Sequence, residues 1–385
     1  MIYKSASTTL LDSFRAGIEI GESLKEIAPE VILLFSSIIL EDNYADFIAG
    51  LYDGLENNQT IIFGGTGDGI YEASITAHYG VCALGMSSDG SVTWSATVVT
   101  GVGADSSDAA RRCATAALES HNGIADWAFI LADGITADGT GIVSGLRENI
   151  SFPFVGGLTG DDRKFKCGQI FINDKVIDDG VAILMASGGI PFMSHSISGF
   201  KPIGVSGTVE EVHGKTIKRI SEQTPMAFIR EQTGKTLAEA DLGILALANE
   251  TGPCQNQFFL RVMFGFDNCC GSITCFGSVP NGTTLRVSKA NRADLLSAVT
   301  ECIEKLRNTG FKPAAAIVIS CVGRKWLLNT CGQEEVQAIQ NVLGNHLPLI
   351  GFPSFGEIGA FLNDDNSYTE TYFHNATCVL CLLGA

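Results

Sequence analysis

The chain has 385 residues, and 45% of them are apolar, which is enough to fill the cores of about two domains. Its formal net charge is −17, and no stripe of lysines and arginines offsets it, which argues against nucleic acid and anionic membranes as partners. The N-terminus lacks the features of a secretion signal, and the longest uncharged segment, 180–200, is broken by glycines and a proline. We therefore expect a cytoplasmic protein.

The 12 cysteines are scattered through apolar segments and are expected to be reduced thiols. Cys378 and Cys381 have the spacing of a redox pair, but they lie in a strand-like run, where residues three apart face opposite sides. This pattern predicts two buried thiols. No CxxC pairs have zinc spacing, and no helix carries a metal-spaced His/Glu pair, so we predict no metal site.

In chain order, the first half alternates between helical and strand-like periodicity. The predicted helices are 9–27, 47–55, 108–120 and 141–149, and the predicted strands are 31–35, 60–63, 78–86, 91–102, 127–131, 154–155, 169–173 and 180–186. Ser87 to Gly90 form a suitable hairpin loop between two of these strands.

The alternation breaks between residues 195 and 234, where Thr224-Pro225 predicts the start of a helix that ends before Gly234. Beyond it, we predict strands at 243–248, 258–266, 271–276, 315–320, 349–350 and 376–383, and helices at 292–306 and 333–343. We predict an N-terminal helix over 1–27, a first domain over 28–205 and a second domain over 206–385.

An apolar strand followed by a glycine-rich turn and an acidic residue recurs along the chain. It occurs at 60–68, 153–161 and 348–357, with a weaker copy at 271–278. We expect the four segments to occupy equivalent positions. The pattern predicts an α/β fold with two related domains, each a mixed and largely buried sheet covered by helices, built from pseudo-repeated strand–helix–strand–Gly-turn–strand units.

The same turns resemble those of FIST proteins. The C-terminal part carries Ile319-Ser320-Cys321-Val322-Gly323-Arg324, Glu334-Glu335-Val336, Pro348-Leu349-Ile350-Gly351-Phe352, Phe355-Gly356-Glu357-Ile358 and His374-Asn375-Ala376-Thr377. Gly64 to Asp68, Phe154 to Gly157, Gly160-Asp161 and Gly180 to Ala182 resemble the FIST N-terminal domain. The resemblance covers about residues 28 to 385 and is most specific toward the C-terminus.

This resemblance implies a sensory module of signal transduction that binds a small molecule such as an amino acid. We therefore predict a small polar ligand and a signalling partner protein. Some stand-alone members of similar length bind haem, sense nitric oxide and regulate histidine kinases. A haem-binding nitric oxide sensor that regulates a histidine kinase is therefore the alternative prediction.

The predicted ligand site combines four residues of the C-terminal motifs. Arg324 could clamp a carboxylate, Glu357 could hold an ammonium group, and His374 and Asn375 could supply further hydrogen bonds. Gly356, Asp68 and Asp161 in the glycine turns are further candidates, because backbone N–H groups of such turns can face a ligand. The structural alternative is a buried Arg–Glu pair, with turns that only close each repeated unit.

Other chemistries have weaker support. The third glycine of Gly65-Thr66-Gly67-Asp68-Gly69 has the wrong spacing for a dinucleotide loop. Ser354 lacks the glycine two residues earlier that a nucleophile elbow requires, so we predict no catalytic residues and no enzyme, and an unrecognised hydrolase is the second alternative. The leading interpretation has no cofactor. For the haem alternative, His195 and His213 near the domain junction are the candidate axial ligands.

Overall fold

The structure is a computed structural model that describes residues 1–40, 43–250, 257–329 and 332–385. Within these ranges the chain forms 24 strands, eight α-helices and three short 3₁₀ helices, at Lys25–Ile27, Ile38–Leu40 and Glu239–Asp241. The strands form three six-stranded sheets and one closed barrel.

Nearly the same order of elements occurs three times, with one additional helix in the third group. The first group is β1 (Ile2–Thr8), α1 (Ser13–Leu24), β2 (Val31–Ser36), α2 (Tyr44–Leu55), β3 (Ile61–Thr66), β4 (Ile70–Glu72), β5 (Ile75–Ala77) and β6 (Val81–Ser87). The second is β7 (Thr93–Thr100), α3 (Ser106–Ser120), β8 (Trp127–Ala132), α4 (Gly139–Arg147), β9 (Val155–Leu158), β10 (Ile170–Ile172), β11 (Lys175–Ile177) and β12 (Gly180–Ser187).

The third group is interrupted by the barrel. It starts with β13 (Phe192–Ile197). The barrel segment follows as β14 (Lys201–His213), β15 (Thr216–Ile220), α5 (Pro225–Thr233), β16 (Leu245–Glu250), β17 (Phe258–Phe266), β18 (Ile273–Cys275) and β19 (Thr284–Lys289). The group then continues as α6 (Arg292–Asn308), β20 (Pro313–Cys321), α7 (Val322–Leu328), α8 (Gln333–Leu343), β21 (Leu349–Ser354), β22 (Glu357–Gly359), β23 (Tyr372–His374) and β24 (Cys378–Gly384).

The three sheets share one topology. Their strand orders are β1-β6-β2-β3-β10-β11, β7-β12-β8-β9-β22-β23 and β13-β24-β20-β21-β4-β5. Each sheet contains one parallel pair, and each ends in a short hairpin that comes from a different group of elements. The predicted class, α/β with mixed sheets, is confirmed.

Glycine allows the parallel strands of each pair to approach closely. A Cβ on Gly64, Gly156 or Gly351 would lie 1.8, 2.0 or 2.0 Å from a carbonyl oxygen of the neighbouring strand. Since real Cβ atoms do not approach this closely, the close approach accounts for glycine at these three equivalent positions.

Three equivalent hydrogen bonds join the glycine turns in a ring. The N–H groups of Asp68, Gly160 and Phe355 donate to the carbonyl oxygens of Pro353, Thr66 and Leu158, at 3.0, 2.9 and 3.1 Å respectively. Segments 60–68, 153–161 and 348–357 therefore occupy equivalent positions. The fourth predicted copy is wrong, because 271–278 contains β18, which pairs antiparallel with β15 and β17 in the barrel.

The central core lies among the three sheets, where Phe35 stacks on Phe352 with ring centroids 4.4 Å apart. Every residue of β2, β12 and β24 is buried, as the unbroken apolar runs predict. Cys378 and Cys381 face two different buried clusters, and the ten described cysteines are all free thiols. The predicted pair of buried thiols in β24 is confirmed.

Local capping fixes the helices that border the barrel. The Thr224 hydroxyl accepts the Ala227 N–H at 3.3 Å, Pro225 opens α5, and Gly234 ends it with φ of 73°. Asn291 and Asp294 form a capping box at the start of α6. Both helices begin where the sequence predicts them.

One predicted boundary and one predicted hairpin differ from the structure. The hairpin at 87–90 is wrong, because β6 and β7 lie in different sheets. The N-terminal segment 1–27 is not helical throughout, because Ile2–Thr8 form β1, which pairs along its whole length with β6. Strands from both sides of the predicted domain boundary at 205 share two of the sheets. The division into domains 28–205 and 206–385 stays a prediction.

Candidate functional site

Arg324 is fully buried at the start of α7, and its ion-pair partner is Glu335 rather than Glu357. Its Nε and Nη2 donate to Glu335 Oε1 at 2.9 and 2.7 Å, and the guanidinium also bonds the carbonyl oxygens of Ser198 and Leu295. Glu335 Oε2 in turn accepts the Ser320 hydroxyl at 2.7 Å. These contacts satisfy the charge of Arg324 inside the protein.

Glu357 is also fully buried, and neutral groups hold its carboxylate. Ser354 donates to Oε1 at 2.7 Å, and the Thr377 hydroxyl and N–H donate to Oε2 at 2.8 and 3.1 Å. Burial raises the pKa of Glu357 to about 7, although these hydrogen bonds favour the ionised form. Glu357 can therefore change protonation near neutral pH.

His374 lies opposite Glu357 in the pairing of β22 with β23. Its Nε2 is 2.9 Å from the Gly359 carbonyl oxygen, and burial lowers its pKa to about 4. Asn375 accepts the Val262 N–H at 3.4 Å and donates to the His374 carbonyl at 3.1 Å. The structure thus brings Glu357, His374 and Asn375 near one another and directs Arg324 to a different carboxylate.

The candidates in the glycine turns have different surroundings. Asp161 accepts the N–H groups of Phe165, Lys166 and Cys167 at 2.9, 2.6 and 3.2 Å, so it organises its own loop. A Cβ on Gly356 would lie 2.4 Å from the ring of Phe373, so close packing accounts for this glycine. Ligand contact by either residue stays a prediction.

Asp68 is buried where the loop that follows β9 meets α7. Its Oδ2 lies 3.5 Å from Arg163 Nε and 3.7 Å from Lys325 Nζ. Burial raises the pKa of the neighbouring Asp162 to about 7, and a hydrogen bond to Asp68 adds to the effect. Arg163 also lies over the ring of Trp326, at 4.8 Å, so the loop is held against α7 by both charge and aromatic contact.

A cavity of about 950 Å³ lies between β13, α6, the first residues of β17 and the segment 361–369. It is at the junction between the third sheet and the barrel. The residues that line it are His195 to Lys201, Gln257, Phe258, Asp294, Ser297, Ala298, Glu301, Lys305, Phe361, Asn363, Asp364, Asp365 and Thr369. We refer to this space as the junction cavity.

Charged groups of both signs face the junction cavity. Lys305 pairs with Asp364 at 3.1 Å, and Lys201 pairs with Asp294. The carboxylate of Glu301 accepts the hydroxyl of Ser297, one turn earlier on α6, at 2.9 Å. The cavity can therefore offer cations and carboxylates to one bound molecule.

His195 supplies a buried polar group to this cavity, with only 7% of its surface exposed. Its Nδ1 accepts the N–H of Leu362 at 3.0 Å, and burial, with a contribution from Lys305, lowers its pKa to about 3. The ring is thus neutral, with its proton on Nε2. Among the described residues, Nε2–H has no hydrogen-bond acceptor.

Neither histidine of the haem alternative fits an axial ligand in this arrangement. Iron requires a nitrogen lone pair, but Nδ1 of His195 is occupied by Leu362 N–H and Nε2 carries the proton. The side chain of His213 is 65% exposed, next to Glu211 in the β14–β15 hairpin. No group of three or more His, Cys, Asp or Glu side chains in the described ranges could hold a metal ion.

Most residues of the junction cavity carry no signal in the sequence that marks them as a site. Asp294, Glu301 and Lys305 lie on the polar face of α6, and such a face ordinarily indicates solvent exposure. The segments that form the cavity are also far apart in the chain. Of the residues that line the cavity, only His195 is a predicted site residue, and the ligand predicted for it is haem.

Two sequence models match most of the chain. The FIST N domain matches residues 66–223 and the FIST C domain matches residues 218–360. Both domains are sensory domains of signal transduction. The chain belongs to the FIST family.

Other comparisons add little. No match was found among curated protein sequences. Among solved structures, the chain is similar to the crystal structure of cyanuric acid hydrolase from A. caulinodans, with 7% identity and a TM-score of 0.38 over 100% of this chain and 99% of that one. This level of similarity carries no information on activity. Among the described helices, none is both long and apolar enough to cross a bilayer.

Proposed function

We propose that this protein is a non-enzymatic sensor that binds a small zwitterion such as an amino acid in the junction cavity and signals to a partner protein. One observation carries the proposal: a cavity of about 950 Å³ presents two lysines, four carboxylates and an imidazole N–H without a protein acceptor to the same space. Ligand sites are typically concave and combine apolar walls with a few convergent polar groups.

The polar groups suit the two ends of a zwitterion. His195 Nε2–H and the ammonium of Lys305 can donate to a carboxylate, and Glu301 can accept an ammonium group. Phe200, Phe258 and Phe361 supply apolar wall for the rest of the molecule. Because His195 stays neutral down to low pH, its N–H would act as a donor throughout the physiological range.

The position of the cavity offers a route for the signal. The segment 198–200 lines the cavity and connects β13 of the third sheet directly to β14 of the barrel. A ligand that bridges this segment and α6 would favour one arrangement of barrel and sheet over others, which is the requirement for a population shift. A histidine kinase or another signalling protein would then recognise that arrangement.

A thermal-shift screen with amino acids and small carboxylates, followed by isothermal titration, tests the proposal. A ligand that binds the native state and not the unfolded chain raises the melting temperature, and the increase grows with ligand concentration relative to Kd. Lys305→Gln should weaken binding roughly tenfold, since it removes a charge-assisted contact. Arg307→Gln, an exposed change on the same helix, should have no effect.

Two results would overturn the proposal. In the first, no compound in the screen changes the melting temperature. In the second, Lys305→Gln and Arg307→Gln lose affinity equally, which would show that the ligand binds outside the junction cavity. Turnover of any ligand in broad esterase and amidase assays would instead favour the hydrolase alternative.

A further inference from the structure

We infer that the ligand of the junction cavity carries a net positive charge, as a basic amino acid does, with its carboxylate at His195 and its second cation at Glu301. This inference rests on the proposed function and specifies its ligand. It follows from the balance of charges that face the cavity and from which of them already have partners.

The lining is acidic. Two lysines, Lys201 and Lys305, face four carboxylates, Asp294, Glu301, Asp364 and Asp365. Each lysine is already matched by one aspartate, through the Lys201–Asp294 and Lys305–Asp364 pairs. A ligand with excess positive charge would be attracted by the remaining negative charge.

The two remaining carboxylates differ. Asp365 accepts the N–H and hydroxyl of Ser367 at 3.0 and 2.6 Å, within its own turn. Glu301 accepts only the neutral hydroxyl of Ser297, and it has no cationic partner among the described residues. Glu301 is therefore the carboxylate that can take a ligand cation.

The second recognition element is the Nε2–H of His195. The ring is largely buried and held by the Leu362 N–H at Nδ1, and Nε2–H has no protein acceptor among the described residues, so it can donate to a molecule in the cavity. A ligand carboxylate is a suitable acceptor. A ligand with one carboxylate and two cationic groups would satisfy both His195 and Glu301 and would offset the excess negative charge.

Isothermal titration with L-lysine, L-norleucine and 1,5-diaminopentane tests the inference, since the three share a chain but differ in their end groups. L-lysine should bind roughly tenfold or more tightly than L-norleucine, the difference expected for one charged contact. It should also bind more tightly than 1,5-diaminopentane, which lacks the carboxylate. Added salt should reduce the preference over L-norleucine, because Glu301 is exposed to solvent.

Matched variants test which lining residues cause these differences in affinity. Glu301→Gln should abolish the preference for L-lysine over L-norleucine, whereas Glu304→Gln, on the same helix but outside the cavity lining, should retain it. His195→Phe should reduce the preference over 1,5-diaminopentane, because the ligand carboxylate loses one of its donors. If L-norleucine binds as tightly as L-lysine, or Glu301→Gln retains the preference, the inference is wrong while the proposed function stands. If no amino acid binds at all, the proposed function itself fails.

Discussion

Arg324 and Glu335 form an ion pair in which both side chains are completely removed from solvent. Two guanidinium nitrogens converge on a single carboxylate oxygen, and Ser320 satisfies the other. A buried pair of this kind adds little over well-packed apolar residues, but loss of one partner leaves an uncompensated charge. The pair therefore fixes how α7 and α8 meet the end of β20.

Glu335→Gln should lower the free energy of unfolding by roughly 3–5 kcal/mol, because it leaves the Arg324 guanidinium buried without its counterion. Glu334→Gln is the matched control, since Glu334 forms an exposed pair with Arg292 and should contribute about 0–1 kcal/mol. Urea denaturation of both variants provides the measurement. If both variants lose equally little free energy of unfolding, Arg324 does not require Glu335 as its counterion.

Glu357→Gln should change the pH dependence of stability. The folded-state pKa of about 7 lies above the usual value, so the wild-type protein is most stabilised while Glu357 is protonated. That contribution is present at low pH and is lost as pH rises through about 7, by roughly 3 kcal/mol in all.

The variant keeps the shape of Glu357 and cannot ionise, so its stability relative to wild type should increase between pH 5 and pH 8. His195 and His374 act in the opposite direction, because their lowered pKa values favour folding as pH rises toward 6.5. Comparison of variant with wild type at each pH cancels their contribution. A pH-independent difference in melting temperature would rule out titration of Glu357.

The glycine turns were predictable because close strand contact leaves no alternative to glycine. Gly64, Gly156 and Gly351 each face a carbonyl oxygen of the neighbouring parallel strand, so one physical requirement accounts for one repeated sequence pattern. The segment 271–278 has a similar local pattern, but its neighbours are antiparallel barrel strands. The sequence of a segment alone does not show which strand will pair with it, or in which direction.

The partner of Arg324 and the junction cavity were less predictable. Glu335 and Glu357 both follow Arg324 in family motifs, and only the packing of α8 against the end of β20 decides between them. The cavity depends on how the barrel is placed against the third sheet, so its lining comes from segments around 195, 300 and 363. No sequence pattern in any one of these segments indicates that the three line one cavity.

Gly156→Ala should destabilise the protein by roughly 1–3 kcal/mol or more, because the added Cβ would lie 2.0 Å from the Ile130 carbonyl oxygen. Gly265→Ala is the control, since its Cβ would meet nothing within 4 Å. In a strand, that change should be neutral or slightly stabilising. Similar melting temperatures for the two variants would contradict the close-approach explanation.

Asp161→Ala should loosen the loop 161–169, because three backbone N–H groups lose their common acceptor. We expect a loss of roughly 1–3 kcal/mol and faster tryptic cleavage after Lys164 and Lys166. Asp174→Ala, an exposed change in the β10–β11 turn, serves as the control. If Asp161→Ala leaves cleavage unchanged but removes ligand binding, Asp161 contacts the ligand as the sequence analysis predicted.

Haem should not bind through His195 or His213. In His195, Nδ1 is occupied by the Leu362 N–H and Nε2 carries the proton, so axial ligation would require a tautomer change that leaves the Leu362 N–H without an acceptor. His213 lies in an exposed hairpin of the barrel. We expect titration with haemin to give the same absorbance spectrum for wild type, His195→Gln and His213→Gln, with a response to nitric oxide that matches that of haemin without protein. A sharp Soret band that disappears only in His195→Gln would show that the ring can release its hydrogen bond to the backbone, and it would favour the alternative prediction, a haem-based sensor.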